Sequence, residues 1–219
     1  MIKKSSLLPI LGSFFLALTV MLITSRDRFI NAIPEACESE VLFSLSSGYV
    51  ISVIFWFFMV YCPDVNQRKL LKDSFKQSYI CFREDLVQIL IWSVKDWSAN
   101  VQEIASDHQK MRAFFDREKR YAIKNELQQN PMRMSEIFCA LKIFDQDANF
   151  LLNNAFLDEK SLHVLKTFHQ RIYHLQNSGY EPSEQANPLF KLVWEILAIE
   201  SFCNGASDDD PFQRVIGQI

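Results

Sequence analysis

Val41 to Cys62 reads VLFSLSSGYVISVIFWFFMVYC, 22 residues without one charge. A helix rises about 1.5 Å per residue, so roughly 20 apolar residues cross a hydrocarbon core about 30 Å thick. Inside that core every backbone amide must be satisfied within its own segment, which selects helix over open strand. Upstream lies a second uncharged run, LLPILGSFFLALTVMLIT, 18 residues from Leu7 to Thr24. Lys3 and Lys4 before it also suit a cleaved signal peptide. The run is longer than the usual signal core of about 7–15 residues, however, and no small-x-small cleavage site follows closely. Glu35 occupies the place in Pro34-Glu35-Ala36-Cys37 where a lipoprotein site wants a small residue. The expectation is two membrane spans, 7–24 and 41–62.

Basic flanks set the expected direction. Lys3 and Lys4 precede the first span, and Arg68, Lys69, Lys72 and Lys76 follow the second. The connection between them holds Arg26 and Arg28 against Asp27, Glu35, Glu38 and Glu40. Both termini are therefore expected on the cytoplasmic side of a bacterial inner membrane, in a multi-pass arrangement. Trp56 and Tyr61, in the aromatic exit of the second span, suit interface anchors. Ser44, Gly48 and Ser52 recur every fourth residue and put small side chains on one helix face. Such a face lets another helix approach closely. That helix is either the first span of the same hairpin or a span of a second copy, with a pore lining as the further reading. Neither span carries an ionisable side chain, so there is no proton relay or charged selectivity ring to read.

After Pro63 the pattern changes to helix period. Leu71, Phe75, Tyr79, Phe82, Leu86, Leu90, Val94 and Trp97 recur at steps of three or four, with no Gly or Pro from Val65 to Trp97. This predicts a long stalk-like helix. A second helix is expected from the Asn100 cap, with Glu103 reaching back, to Asn130-Pro131. A third is expected from Ser135 through Phe156, and a fourth from Asp158 to Gly179. A fifth follows Asn187 as cap and Pro188 as first helical residue, and closes at Gly205. The fold class read here is all-α: a two-helix transmembrane hairpin over 1–64, a cytosolic helical bundle over 65–204, and an acidic tail over 205–219. Asp208-Asp209-Asp210 opens that tail as a mobile stretch, and Phe212 to Ile219 is apolar enough to dock on the bundle or on a partner.

Chemistry-bearing motifs are missing. There is no H-E-x-x-H, paired C-x-x-C, G-x-S-x-G or glycine-rich phosphate loop, and five glycines leave little material for one. His163 and His174 share a helix face but stand about 16 Å apart along it, too far for a common metal. Cys37, Cys62, Cys81, Cys139 and Cys203 are scattered singly, and Cys37 alone is expected on the outer side. Asp145 and Asp147, two apart on a helix, do not face each other. The expectation is no enzyme, no cofactor, no metal and no small-molecule substrate. A net charge of -3 also argues against a generally basic nucleic-acid binder. One local exception is Lys110, Arg117, Arg120 and Lys124, whose separations of seven, three and four place them on one face of the second helix. This strip suits phosphates of nucleic acid or lipid, an acidic protein surface, or plain solvation. The adjacent Phe114 and Phe115 cannot both point inward, which hints at a contact with a second subunit.

In the uncharged hairpin, the aromatic exit of residues 55–61, the Pro63 break and the Arg68-Lys69-Leu70-Leu71-Lys72 start of a helical cytosolic part, the chain resembles the two-transmembrane effectors of retron-type bacterial antiviral systems. The resemblance is one of architecture over the whole length. It implies a homo-oligomeric toxin held quiet by a cytosolic partner complex, such as a reverse transcriptase with its nucleic acid. Released on phage attack, such an effector permeabilises the inner membrane. No site residue carries over from it. The competing expectation is a non-toxic membrane anchor or sensor that recruits a soluble effector through its helical domain.

Overall fold

A computed structural model describes residues 12–22, 36–155, 157–179, 182–199 and 210–219, with the backbone alone at 36–43, 182 and 183. Lys3, Lys4, the basic and acidic residues from Arg26 to Glu35, Cys203, Gly205, Asp208 and Asp209 lie outside these residues, and Cys37 is described by its backbone only. The chain divides into two compact units, Met1–Gln67 and Arg68–Ile219. Among the described residues every element is helical.

In the first unit, α1 (Gly12–Leu22) is apolar but short. α2 (Ala36–Trp56) leads through a π-helical turn, Phe57–Tyr61, into α3 (Cys62–Ser93). From Ser44 onward this continuous helix is long and apolar enough to cross a membrane. Pro63 does not break the helix as the sequence suggests. Its ring clashes with the carbonyl four residues back and it offers no N–H. The wider turn just before it absorbs both defects, and Cys62 N–H donates to the Phe57 carbonyl five residues back. α1 meets α2 where the Ser13 and Tyr49 hydroxyls lie 2.6 Å apart.

The second unit is a bundle. Phe75, Tyr79, Phe82, Leu86 and Leu90 of α3 are all buried, so this part of the expected stalk is a core element. The helix ends at Ser93, short of Trp97, because Lys95 turns left-handed at φ 58°. Lys95 N–H bonds the Trp92 carbonyl and Asp96 N–H the Ile91 carbonyl, a Schellman stop formed without glycine. The expected second helix is three: α4 (Val101–Ser106), α5 (His108–Phe114) and α6 (Arg117–Gln129). Asn100 caps the first of them as read from sequence, its side chain accepting from Glu103 N–H. The breaks come from Asp107 and Asp116, whose carboxylates accept from Gln109 and Lys119 N–H and start new helices.

α7 (Pro131–Asn154) starts a turn earlier than expected, with Asn130 as cap and Pro131 in the first turn. α8 (Glu159–Asn177) has the expected Asp158 cap, and Gly179 follows it with φ +63°. α9 (Pro182–Ala198) corrects the reading of Asn187 and Pro188 as its start. Pro182 fills the first-turn role, and Pro188 sits inside the helix, where it leaves the Glu184 carbonyl without an intrahelical donor. At the far end the Arg112 guanidinium donates to the Ala198 carbonyl, with Nε at 2.8 Å, and so caps the negative end of α9.

The last element, α10 (Pro211–Gln218), belongs to the core. Phe212 is fully buried and its ring lies 5.2–5.4 Å from those of Tyr79, Phe144 and Phe168. Phe144 is the hub of this cluster, stacked on Phe82 at 4.3 Å and on Phe75 at 5.5 Å. Asp210 is no mobile acid. It caps α10, accepts from the Tyr79 hydroxyl at 2.7 Å and pairs with buried Arg83 at 3.2 Å. Burial, and then the Asp210 carboxylate, push the Tyr79 phenol far up, so it stays a neutral donor.

Candidate functional site

The basic residues picked out in the sequence divide between two helices. Lys110 is on α5 and pairs with Glu103 of α4 at 3.0 Å. The break at Asp116 removes it from the face of the other three, which corrects the expected four-residue strip. Arg117, Arg120 and Lys124 stay together on α6. Ile123 and Leu127 of α6 are fully buried and seat the helix, leaving Arg117 exposed and Arg120 and Lys124 half-buried.

α9 forms the opposite wall. Ala186, Leu189, Val193 and Leu197 are completely buried, which fixes its rotation. Asn187 and Lys191 are thereby turned outward, with Phe190 and Trp194 on the shoulder, their rings stacked at 6.2 Å. Between α6 and α9 lies a cleft of about 920 Å³. Its cations are Arg117, Arg120, Lys124 and Lys191, and its one acid is Glu118. The Arg120 guanidinium stands 4.8 Å from the centre of the Trp194 ring, and the Lys124 ammonium 5.4 Å from that of Phe190. Such contacts hold a cation by the ring quadrupole while its charge stays available.

Among the described residues Arg117, Arg120 and Lys124 form no ion pair, and Lys191 reaches Glu195 only at 3.9 Å. Arg120 Nε donates to the Asp116 carbonyl at 3.3 Å. Glu195 is engaged by Arg171. A cleft with four cations against one acid and low-dielectric walls concentrates anions. Tyr121, at its mouth, is 67% exposed. Sequence periodicity on α6 found three of the four cations. The α9 wall and Tyr121 were missed, because nothing local in the sequence says that Lys191 and Trp194 come to lie beside Arg120.

Other expectations find different places. Phe115 is fully buried, while the partly covered Phe114 carries the Lys119 ammonium 3.6 Å from its ring centre. Asp145 pairs with His169 at 2.9 Å, and Asp147 accepts from Ser78. Among the described residues no three His, Cys, Asp or Glu side chains converge as a metal site would require.

In the first unit, among the described side chains of α2, Ser46 and Val50 are buried, beside the Tyr49 that meets Ser13. Ser44, Gly48 and Ser52 lie two residues away, about 200° round the helix, and are exposed. Ser52 Oγ donates to the Gly48 carbonyl at 2.8 Å, and a methyl added at Gly48 would meet nothing within 4 Å. Among the described residues, no side chain packs against this face at Gly48. The Trp56 and Tyr61 rings stand 6.0 Å apart at the π turn. The chain matches no family model, no curated protein and no solved structure.

Proposed function

We propose that this chain is an inner-membrane effector that oligomerises through its spans and permeabilises the membrane when a cytosolic partner releases it. Both termini are cytoplasmic, α1 and α2 form the hairpin, and the α6–α9 cleft is where the bundle meets its partner. The observation that carries the reading is the surface of α2. Leu45, Ile51 and Phe55, with Phe58 of the π turn that follows, are each more than 60% exposed, which in water is a large uncompensated apolar area and in lipid is the ordinary state. On that same surface the Ser44, Gly48 and Ser52 face is open to close approach by another helix. The antiviral setting and the toxin role rest on the architectural resemblance alone.

A membrane-potential dye tests this in cells with controlled expression. The wild-type chain is expected to depolarise the membrane, and Gly48→Leu, which fills the open face, to abolish the effect while the protein still accumulates in the membrane fraction. An unchanged potential, with or without partner proteins, would favour the anchor or sensor reading, in which the hairpin only localises the bundle.

A further inference from the structure

The α6–α9 cleft combines a cluster of cations with an exposed aromatic ring, the two features that hold a nucleotide's phosphate and base. Three cations of α6 stand without an ion-pair partner among the described residues, and Lys191 adds a fourth from the facing helix. Beside them Tyr121 presents a flat ring to solvent, and the guanidinium groups of Arg117 and Arg120 are themselves planar surfaces on which a base can stack. Asn187 brings an amide that can both donate and accept along a base edge. The cleft volume of about 920 Å³ lies inside the range of about 300–1,000 Å³ typical of ligand pockets.

We infer that this cleft binds a nucleotide unit, its phosphate on Arg117, Arg120 and Lys124 and its base against Tyr121. The inference deepens the reading of the cleft as the partner's contact point and rests on it. Phosphate neutralisation supplies the affinity, and stacking selects a ligand with exposed bases. A single strand and a free nucleoside triphosphate share this chemistry. A duplex, with its bases stacked inside, fits less well.

Full-length protein in neutral detergent micelles is titrated into a fluorescein-labelled single strand of about 8 nucleotides, and separately into a fluorescent ATP analogue. Binding of either supports the assignment, and the tighter of the two identifies the source. Arg117→Glu with Lys124→Glu should weaken binding at least about tenfold and lower the slope of log K against log salt by about 1.4, the change expected when two fewer phosphates of a single strand are neutralised. Tyr121→Ala should cost about tenfold, with Tyr121→Phe retaining most of the affinity. Lys166→Glu, on the exposed side of α8, should change nothing. No binding of either probe, equal binding by the charge-reversed protein, or displacement by polyglutamate at the same concentration as by unlabelled strand would overturn the assignment. No membrane potential enters this titration, so its failure is separate from failure of the permeabilisation assay.

Discussion

Lys95 stops α3 in a conformation that glycine adopts at no steric cost, and the left-handed region costs an ordinary residue about 1–2 kcal/mol. Lys95→Gly should therefore raise stability by about 1 kcal/mol, less whatever the freer unfolded chain takes back. A higher urea midpoint at unchanged m-value would show it, and a lower one would mean that the lysine side chain does more than its backbone suggests. Asp158 gives a pH-dependent case. Its carboxylate accepts from Ser161, chiefly through hydrogen bonds that hold the carboxyl below its ordinary value of 3.8. A depressed folded value means the stabilisation is complete above pH 3.8 and is lost as pH falls through the folded value. The stability gap between wild type and Asp158→Ala should hold from neutral pH down to about pH 4 and then shrink. A gap that widens in acid would contradict the cap's charge.

α10 shows how much one short helix can hold. It presents Phe212, Val215 and Ile216 to the core while Asp210, at its head, accepts from the Tyr79 hydroxyl and from one guanidinium nitrogen of Arg83 on α3. Phe212→Ala removes the ring on which three other aromatic side chains close and should destabilise the bundle by about 3–5 kcal/mol. Asp210→Ala leaves the buried Arg83 charge uncompensated, and its loss should also be about 3–5 kcal/mol. Thermal unfolding of full-length protein in detergent measures both. A midpoint within a degree of wild type for either variant would show α10 to be dispensable. The apolar period of residues 212–216 indicates that this segment can dock. That it docks against α8 and α3, with an aspartate accepting from four donors, depends on residues some forty to a hundred and thirty positions away.

For the molecule as a whole, the proposed membrane location rests on the long apolar helix that begins in α2. The protein should sediment with membranes, resist extraction by alkaline carbonate and be released by detergent. A reporter fused after Ile219 should be active only if it functions in the cytoplasm. Recovery in the soluble fraction, or activity of an exported reporter at that end, would remove the membrane reading and with it the oligomer contact proposed at Gly48. The second unit stands on different ground, since its buried aromatic core holds irrespective of where the first unit resides.

Local chemistry determined the helical class, the uncharged runs and the caps at Asn100 and Asp158, because helix period, capping and lipid solubility each act within a few residues. Tertiary packing decided the rest. Asp107 and Asp116 can sit inside a helix or start one, and their neighbours' burial sets which. Pro188 reads as a beginning until Pro182 is seen to have begun the helix already. The cleft needs α9 turned by its own buried face toward Arg120, and no spacing along the chain encodes a meeting of residues about seventy positions apart.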